Sequence, residues 1–280
     1  MQARVDEYLA GLTFAREGGV AGLEEAMRYS LLAGGKRIRP VLAMATAEAL
    51  DRDPADVLPL AAAIELIHTY SLIHDDLPAM DDDSLRRGQP TCHVKFGEDV
   101  AILAGDGLFA EAISLVATEQ QGEPGHVLAA LGHMVAAAGV GGMVGGQYLD
   151  IKAGDQADLR RVHELKTGRL IAASIECVLM LGGLAGHATI PWSRFAVELG
   201  VLFQIVDDIL DVTGDEAALG KPQGSDERQG KRTYVSVFGL DRARELAAQA
   251  HAKARAALAE ADGRTGTLER TTDYILTRRT

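Results

Sequence analysis

Aromatic residues, cysteine and positive charge are all scarce in this 280-residue chain. Phe, Tyr and Trp make up 5% of it, and its two cysteines, Cys92 and Cys177, have no metal-type spacing. Such cysteine usage is typical of a reducing compartment and not of a disulfide scaffold, so we expect a cytoplasmic protein. The net charge of −12 argues against nucleic acid or an anionic membrane as the main partner, because both attract basic surfaces.

Only one stretch of the sequence is a candidate for a membrane span. The first 19 residues mix charged and apolar side chains, so we expect no signal peptide. Residues 127–146 carry no formal charge, but they consist mainly of Ala and Gly and contain six glycines and His133. We expect this stretch to be a core helix, and the protein not to span a membrane.

Period-two alternation of β-branched and aromatic residues is also absent, whereas Ala, Leu and Glu are abundant. The sequence therefore predicts an all-α protein. No Ser- or Pro-rich linker and no internal repeat divides it, so we expect one domain over residues 1–280. The predicted helices cover about 3–17, 20–33, 38–50, 56–77, 95–118, 125–150, 157–166, 168–184, 192–213, 233–260 and 266–278.

Two aspartate clusters follow strongly apolar helical segments. The first, DDLPAMDDD, runs from Asp75 to Asp83, and Pro78 should end its helix because proline lacks a backbone N–H. The second, DDILD, places Asp207 and Asp211 on one helix face, with Asp208 beside them. Carboxylates gathered this closely need cations. Magnesium fits better than calcium, since neither cluster has the spacing of an EF-hand loop.

Basic residues accompany both clusters. Arg86 and Arg87 follow the first cluster, and Lys221 and Lys231 follow the second. A third group, GGKRIRP at residues 34–40, lacks the spacing of a Walker phosphate loop. Guanidinium and ammonium groups next to glycine backbone suit diphosphate oxygens.

Together these segments resemble the trans-isoprenyl diphosphate synthases (polyprenyl synthetases), most of all the bacterial farnesyl diphosphate synthases. The likeness runs in register from about residue 30 to 235, and DYILTR near the end continues it. The matching stretches are GGKRIRP, HTYSLIHDDLPAMDDDSLRRGQPTCH, GMVGGQYLD, KTG, FQIVDDILD and GDEAALGKPQGSDERQGKRTY.

The resemblance implies a helical bundle of the isoprenoid synthase type with a central cavity. It also implies a homodimer, three Mg²⁺ ions per active site, and the substrates isopentenyl diphosphate and an allylic diphosphate. Asp75 and Asp81 would hold two ions with Asp76 in support, and Asp207 the third, with Asp208 and Asp211 behind it.

The same resemblance assigns the remaining roles. The allylic diphosphate would contact Arg86, Lys166, Lys221 and Lys231. Isopentenyl diphosphate would contact Gly35, Lys36, Arg39, His68 and Arg87. Lys166, Thr167 and Gln204 would be the catalytic residues. Lys166 and Thr167 would stabilise the reacting cation, and Thr167, Gln204, Gln147 and Asp150 would lie near the reacting carbons.

Product length would depend on Tyr70, five residues before Asp75, because that position forms the floor of the product tunnel in this family. A large ring there, beside the small Ser71, favours farnesyl diphosphate over the alternative, geranylgeranyl diphosphate. Three other readings stay open: a terpene cyclase, a non-catalytic synthase subunit and a two-metal phosphohydrolase.

Overall fold

Helices form wherever the sequence has an apolar repeat of helical period. The computed structural model describes residues 1–14, 18–152, 158–214 and 231–278. The helices are α1 (Gln2–Gly11), α2 (Ala21–Leu31), α3 (Ile38–Ala49), α4 (Leu58–Asp75), α5 (Cys92–Phe96), α6 (Glu98–Glu119), α7 (Pro124–Ala138), α8 (Met143–Lys152), α9 (Leu159–His163), α10 (Arg169–Leu181), α11 (Ile190–Thr213), α12 (Tyr234–Phe238), α13 (Leu240–Glu260) and α14 (Gly266–Thr277). Single turns lie at Pro54–Val57, Glu164–Gly168 and Gly186–Thr189.

The apolar core has two parts that share two helices. One part is built mainly from α4, α6 and α7, and the other from α11, α13 and α14. Both α3 and α10 contribute buried residues to each part. A helix that is apolar on opposite faces has to be buried between layers, and these two helices join the halves of the bundle.

The two helices that carry the aspartate clusters are anchored in this core. Helix α4 is apolar nearly all round and ends at Asp75, just before Pro78. Helix α11 has a proline in its first turn and buries Trp192 and Phe195 completely. Because their bodies are held by packing, their polar C-terminal ends have fixed positions.

The all-α prediction is confirmed, and the departures from the predicted helix bounds occur at glycines. The predicted helix 125–150 is interrupted at residues 139–142, in the sequence GVGG. The predicted helix 233–260 is divided by Gly239, whose φ is 82°. Residues with positive φ leave the right-handed helical region at low cost only when they are glycine.

A two-stranded hairpin after the first aspartate cluster was not expected from the sequence. Strands β1 (Leu85–Arg86) and β2 (Gln89–Pro90) pair in antiparallel register. The two residues between them, Arg87 and Gly88, have φ values of 53° and 73°. Two successive positive φ angles are the mark of a type I′ hairpin turn.

Three helical stretches are long and apolar enough to cross a membrane by length and composition alone: Pro54–Asp75, Glu98–Glu119 and Pro124–Lys152. The first is mostly buried in the bundle, but only 33% of each of the other two apolar windows is buried. Leu128 and Val140 are 69% and 84% exposed. The prediction that residues 127–146 belong to the core therefore holds only for part of that stretch.

Candidate active site

The C-terminal ends of α4 and α11 line one cavity of about 1000 Å³. The first aspartate cluster and the second, which begins 124 residues after the first one ends, therefore face a common space, as the sequence predicts. The predicted site residues that line it are Gly35, Lys36, Arg39, His68, Tyr70, Ser71, Asp75, Asp81, Arg86, Arg87, Gln147, Lys166, Thr167, Gln204, Asp207 and Asp211.

The other predicted residues within the described ranges lie one layer behind this lining. Each bonds to a lining residue: Asp76 to Arg86 at 2.8 Å, Asp150 to Lys166 at 2.6 Å, Asp208 to Gln204 at 2.7 Å and Lys231 to Asp81 at 2.8 Å. Lys221 lies outside the described residues.

The first wall is the end of α4 with the turn that follows it. Asp76 is 2% exposed and accepts from Arg86 Nε through both of its oxygens. The arginine therefore balances the charge of Asp76 inside the protein. The backbone N–H of Asp81 donates to the carbonyl of Asp75 at 2.8 Å, which closes the turn. This bond brings the two lining carboxylates, Asp75 and Asp81, together on one side of the cavity.

Among the carboxylates that line the cavity, Asp75 is the one whose ionised form is most clearly destabilised. Burial raises its pKa from 3.8 to about 6, and Asp81 adds to the rise, although Lys166 opposes it. A carboxylate with such a pKa gains a great deal from a nearby cation. The wall is therefore suited to bind a metal ion.

The second wall is the last two turns of α11. Asp208 is 2% exposed; its oxygens accept from Gln204 Nε2 and from the backbone N–H of Tyr234, each at 2.7 Å. It ties α11 to α12 and does not line the cavity. Asp207 and Asp211 do line it. The helix thus uses one aspartate for its own architecture and presents two others.

Between the walls lies the turn Glu164–Gly168, which has π-helical hydrogen bonding. Such turns interrupt an α-helix and are frequent at functional sites. Thr167 Oγ1 donates to Gln204 Oε1 at 3.0 Å, which joins the turn to α11. The turn also packs closely on α8, because a Cβ at Gly146 would lie 2.2 Å from the backbone nitrogen of Lys166. Only glycine allows this approach.

Next to the turn, the side chain of Gln147 faces the cavity with its amide unused. Both amide atoms are buried, and neither has a hydrogen-bond partner among the described residues. A buried amide without partners is costly, so this group is suited to contact a ligand.

The cavity also has a basic region, the basic end. It is lined by Lys36, Arg39, His68 and Arg87 next to the backbone of Gly35. The Arg87 guanidinium packs on Gly35, where a Cβ would approach its Cζ to 2.8 Å, and donates to the carbonyl of Gly34. Glycine at position 35, with φ of 128°, therefore makes room for Arg87 in this pocket.

The electrostatics of this end favour an anion. Burial lowers the pKa values of Lys36, Arg39 and Arg87, and neighbouring cations lower those of Lys36 and Arg87 further. Burial also holds the pKa of His68 well below its usual value, with Arg39 and Arg87 contributing. Repulsion among these groups is relieved by a bound diphosphate, whose oxygens accept from guanidinium and ammonium donors.

Three charged lining residues, Arg37, Glu65 and Arg278, were missed in the assignment of roles from the sequence. Arg278, just after α14, is 9% exposed, and its Nη2 donates to Asp207 Oδ1 at 2.6 Å. Its guanidinium also lies over the ring of Phe203, 4.5 Å from the centroid. The matching segment DYILTR ends at this arginine, so the resemblance contained the signal. A cation bound at Asp207 has to compete with Arg278.

The donor set fits magnesium bound together with a diphosphate. Among the described residues, no three Asp, Glu, His or Cys side chains form a ready-made ion-binding group. Each wall instead offers one or two carboxylates to the cavity. Magnesium keeps water and takes phosphate oxygens in its remaining positions, so it does not need a complete protein cage.

Comparison with known proteins agrees with this geometry. A family model described as polyprenyl synthetase matches residues 20–269. The chain belongs to this family. As a polyprenyl synthetase it is 48% identical to a farnesyl diphosphate synthase of Geobacillus stearothermophilus, over 81% of this chain and 78% of that protein. It is 44% identical to a chloroplastic geranylgeranyl pyrophosphate synthase of Capsicum annuum, over 86% and 67%.

The fold of this polyprenyl synthetase is shared with solved structures. A geranyltransferase from Helicobacter pylori, complexed with magnesium and isoprenyl diphosphate, superimposes with a TM-score of 0.86 at 32% identity. The match covers 98% of this chain and 93% of that one.

The cost of ionising Asp75 leads to a testable trade-off. Replacing it by Asn should lower magnesium-dependent activity by at least about 100-fold, because a metal-facing charge is lost. The same change should raise the melting temperature of the ion-free protein by a few degrees at about pH 8. The raised pKa means that ionisation destabilises the fold as the pH rises from about 4 to about 6.

At about pH 5 the folded protein already carries a protonated Asp75, so the stability gain of the Asn variant should shrink there. Calorimetry at the two pH values measures this difference. Asp82→Asn is the matched control, since Asp82 is an exposed member of the same cluster. An equal gain at both pH values would contradict the electrostatic explanation.

Proposed function

We propose that this polyprenyl synthetase joins isopentenyl diphosphate to dimethylallyl or geranyl diphosphate and releases farnesyl diphosphate. The observation that carries the proposal is that one cavity is lined both by the carboxylates of the two walls, the carboxylate end, and by the cations of the basic end. Two diphosphates need two binding sites. One diphosphate binds through metal ions, and the other binds directly to cationic side chains. The relatives named farnesyl and geranylgeranyl diphosphate synthases support the same reaction class.

At the carboxylate end, the allylic diphosphate lies between the two walls. Asp75 and Asp81 on one side and Asp207 on the other would hold three Mg²⁺ ions, with Asp76, Asp208 and Asp211 in support. Magnesium, when bound, neutralises the negative charge that develops on the departing diphosphate. Arg86, Lys166 and Lys231 supply further positive charge, together with Lys221. The pairs that Lys166 and Lys231 make with Asp150 and Asp81 place both ammonium groups at this end.

At the basic end, Lys36, Arg39, His68 and Arg87 hold isopentenyl diphosphate next to the backbone of Gly35. Binding both substrates in one cavity brings the double bond of one close to the allylic carbon of the other. The allylic carbon–oxygen bond breaks, the double bond forms the new carbon–carbon bond, and a proton is lost. The released diphosphate takes that proton, so no side-chain base is needed.

The allylic cation is stabilised by oxygen atoms of the turn between the walls. The carbonyl of Lys166 and the hydroxyl of Thr167 are the candidates. Gln204 Oε1 accepts a hydrogen bond from the Thr167 hydroxyl. The lone pairs of the Thr167 oxygen therefore remain available to the cavity. Gln147 and Asp150 lie near the reacting carbons, and the apolar parts of the wall limit the access of water.

Isotope-labelled isopentenyl diphosphate, incubated with geranyl diphosphate and magnesium, tests this proposal. We expect labelled farnesyl diphosphate as the main product and no product after chelation of the metal. A terpene cyclase would consume the allylic substrate without incorporating label, and a phosphohydrolase would release phosphate without coupling. A non-catalytic subunit would turn over neither substrate.

Product length is assigned to Tyr70. Its ring lines the cavity and lies edge-on to Phe109 at 5.3 Å and to His74 at 5.6 Å. This contact with two other rings makes the floor rigid, whereas Ser71 beside it is small. Farnesyl diphosphate is therefore the proposed product, and geranylgeranyl diphosphate is the alternative.

Tyr70→Ala should shift the main product from farnesyl to geranylgeranyl diphosphate or longer, because removing the ring deepens the space for the growing chain. Chromatography of the dephosphorylated products measures the shift. Tyr8→Ala is the control, since Tyr8 packs on the same core cluster but does not line the cavity. If both variants still stop at the wild-type length, Tyr70 is not the floor.

We further propose a cytoplasmic homodimer that does not span a membrane. Helices α6, α7 and α8 expose Leu103, Leu128 and Tyr148, and the turn between α7 and α8 exposes Val140; each is more than half accessible, and a second copy of the chain is the proposed cover for them. Such apolar residues on successive helices favour an interface. Light scattering should give about twice the chain mass of 29.7 kDa, and Leu103→Asp with Leu128→Asp should return it to one chain mass.

A further inference from the structure

The middle arginine of the basic segment GGKRIRP behaves differently from its neighbours. Lys36 and Arg39 belong to the basic end of the cavity, whereas the side chain of Arg37 is 1% exposed and bonded inside the protein. Its Nε donates to Asp6 Oδ1 at 2.9 Å, its Nη1 to Glu65 Oε1 at 2.8 Å and its Nη2 to the carbonyl of Leu31 at 2.8 Å. Each guanidinium nitrogen thus has a protein partner.

These partners come from three helices. Asp6 lies on α1, Leu31 ends α2, and Glu65 is a buried residue in the middle of α4. Arg37 itself precedes α3 in the left-handed conformation, with φ of 50° and ψ of 37°. A non-glycine residue pays about 1–2 kcal/mol for this conformation, so contacts of the side chain have to hold it there.

The left-handed turn decides where the neighbouring side chains go. Lys36, Arg37 and Arg39 all border the cavity, but the backbone reverses its helical sense at Arg37, and the guanidinium nitrogens of this residue bond to α1, α2 and α4. The contacts that hold Arg37 in place therefore also fix the positions of the Lys36 and Arg39 side chains. The contacts of Arg37 matter for the cavity although its guanidinium contacts no substrate.

Helix α1 holds this segment at two points. In addition to the Asp6–Arg37 pair, Gln2 Nε2 donates to the carbonyl of Gly35 at 3.0 Å. The two contacts lie on either side of Lys36. Val5 and Leu9, on the same helix, are 1% and 0% exposed and fix α1 to the core. The helix is thus a rigid support behind the basic end.

We propose that Asp6 is a positioning residue for the basic end of the cavity. It acts through Arg37 to fix the diphosphate-binding geometry of Lys36 and Arg39. The identity of the diphosphate as isopentenyl diphosphate rests on the proposed function. The positioning itself rests only on the contacts of α1 with residues 35 and 37.

The sign of the effect separates positioning from simple electrostatics. Removing a carboxylate near a cationic pocket makes the pocket more positive, so charge alone would strengthen diphosphate binding. Loss of positioning weakens binding. Asp6→Asn should therefore raise the KM for isopentenyl diphosphate about fivefold, the upper end of the effect expected for an ion pair with one half-exposed partner. The KM for the allylic diphosphate and kcat should stay within about twofold.

The side chain of Asp6 is 46% exposed and the buried Arg37–Glu65 pair is retained, so this variant should fold. Glu7→Gln is the matched control, because it removes one carboxylate from the next, exposed position of α1. Its KM for isopentenyl diphosphate should be unchanged or lower. Arg37→Lys keeps the charge but not three separate donor groups in a fixed plane, and should reproduce the effect of Asp6→Asn.

Hydrogen–deuterium exchange provides a readout that does not depend on turnover. Backbone amides of residues 34–39 should exchange faster in Asp6→Asn than in wild type or Glu7→Gln. Equal exchange in the three proteins, or a KM for Asp6→Asn equal to that of Glu7→Gln, overturns the positioning role. A wild-type protein that fails to couple the two diphosphates refutes the proposed function instead, and the exchange data still decide the role of Asp6.

Discussion

The structure depends on placing many carboxylates at the ends of two apolar helices without separating the helices by repulsion. Each cluster is neutralised by a cation from elsewhere in the chain. Asp76 pairs with Arg86 nearby, Asp81 with Lys231 150 residues away and Asp207 with Arg278 71 residues away. These long-range pairs hold the walls of the cavity together, and they put positive groups where a metal–diphosphate complex would otherwise lie. Binding of a metal–diphosphate complex would then replace these ion pairs with contacts to the metal ions and the diphosphate.

The aspartates of each cluster divide into two kinds. Asp76 and Asp208 are almost fully buried, and hairpin and helix donors satisfy them, so they fix the walls. The lining carboxylates keep oxygens toward the cavity, and burial leaves Asp75 with a raised pKa. A buried carboxylate with all its hydrogen bonds made contributes stability, whereas a carboxylate at the cavity, even one paired with a lysine or arginine, can exchange that partner for a bound cation. Adjacent residues of one motif therefore have different functions.

Sequence patterns could predict the helices, both aspartate clusters and most of the cavity lining, because these depend on local periodicity and on motif identity. They could not predict which lining cation meets which carboxylate, since Lys231 and Arg278 reach theirs through the tertiary fold. The I′ turn at Arg87 was missed because it depends on a positive φ at a non-glycine residue. Arg37 looked like its basic neighbours, and only its backbone conformation and partners distinguish it.

The unequal ends of the cavity explain how the reaction can choose between two chemically similar diphosphates. At the basic end the countercharges are fixed side chains, whose donors stabilise a bound diphosphate before and after reaction alike. At the carboxylate end the protein supplies negative charge, so a diphosphate binds there only together with divalent cations. Those ions stabilise the diphosphate most when it carries the additional charge of the departing group. In the proposed function, ionisation is therefore favoured at the carboxylate end, while the substrate held at the basic end keeps its carbon–oxygen bond and acts as the nucleophile.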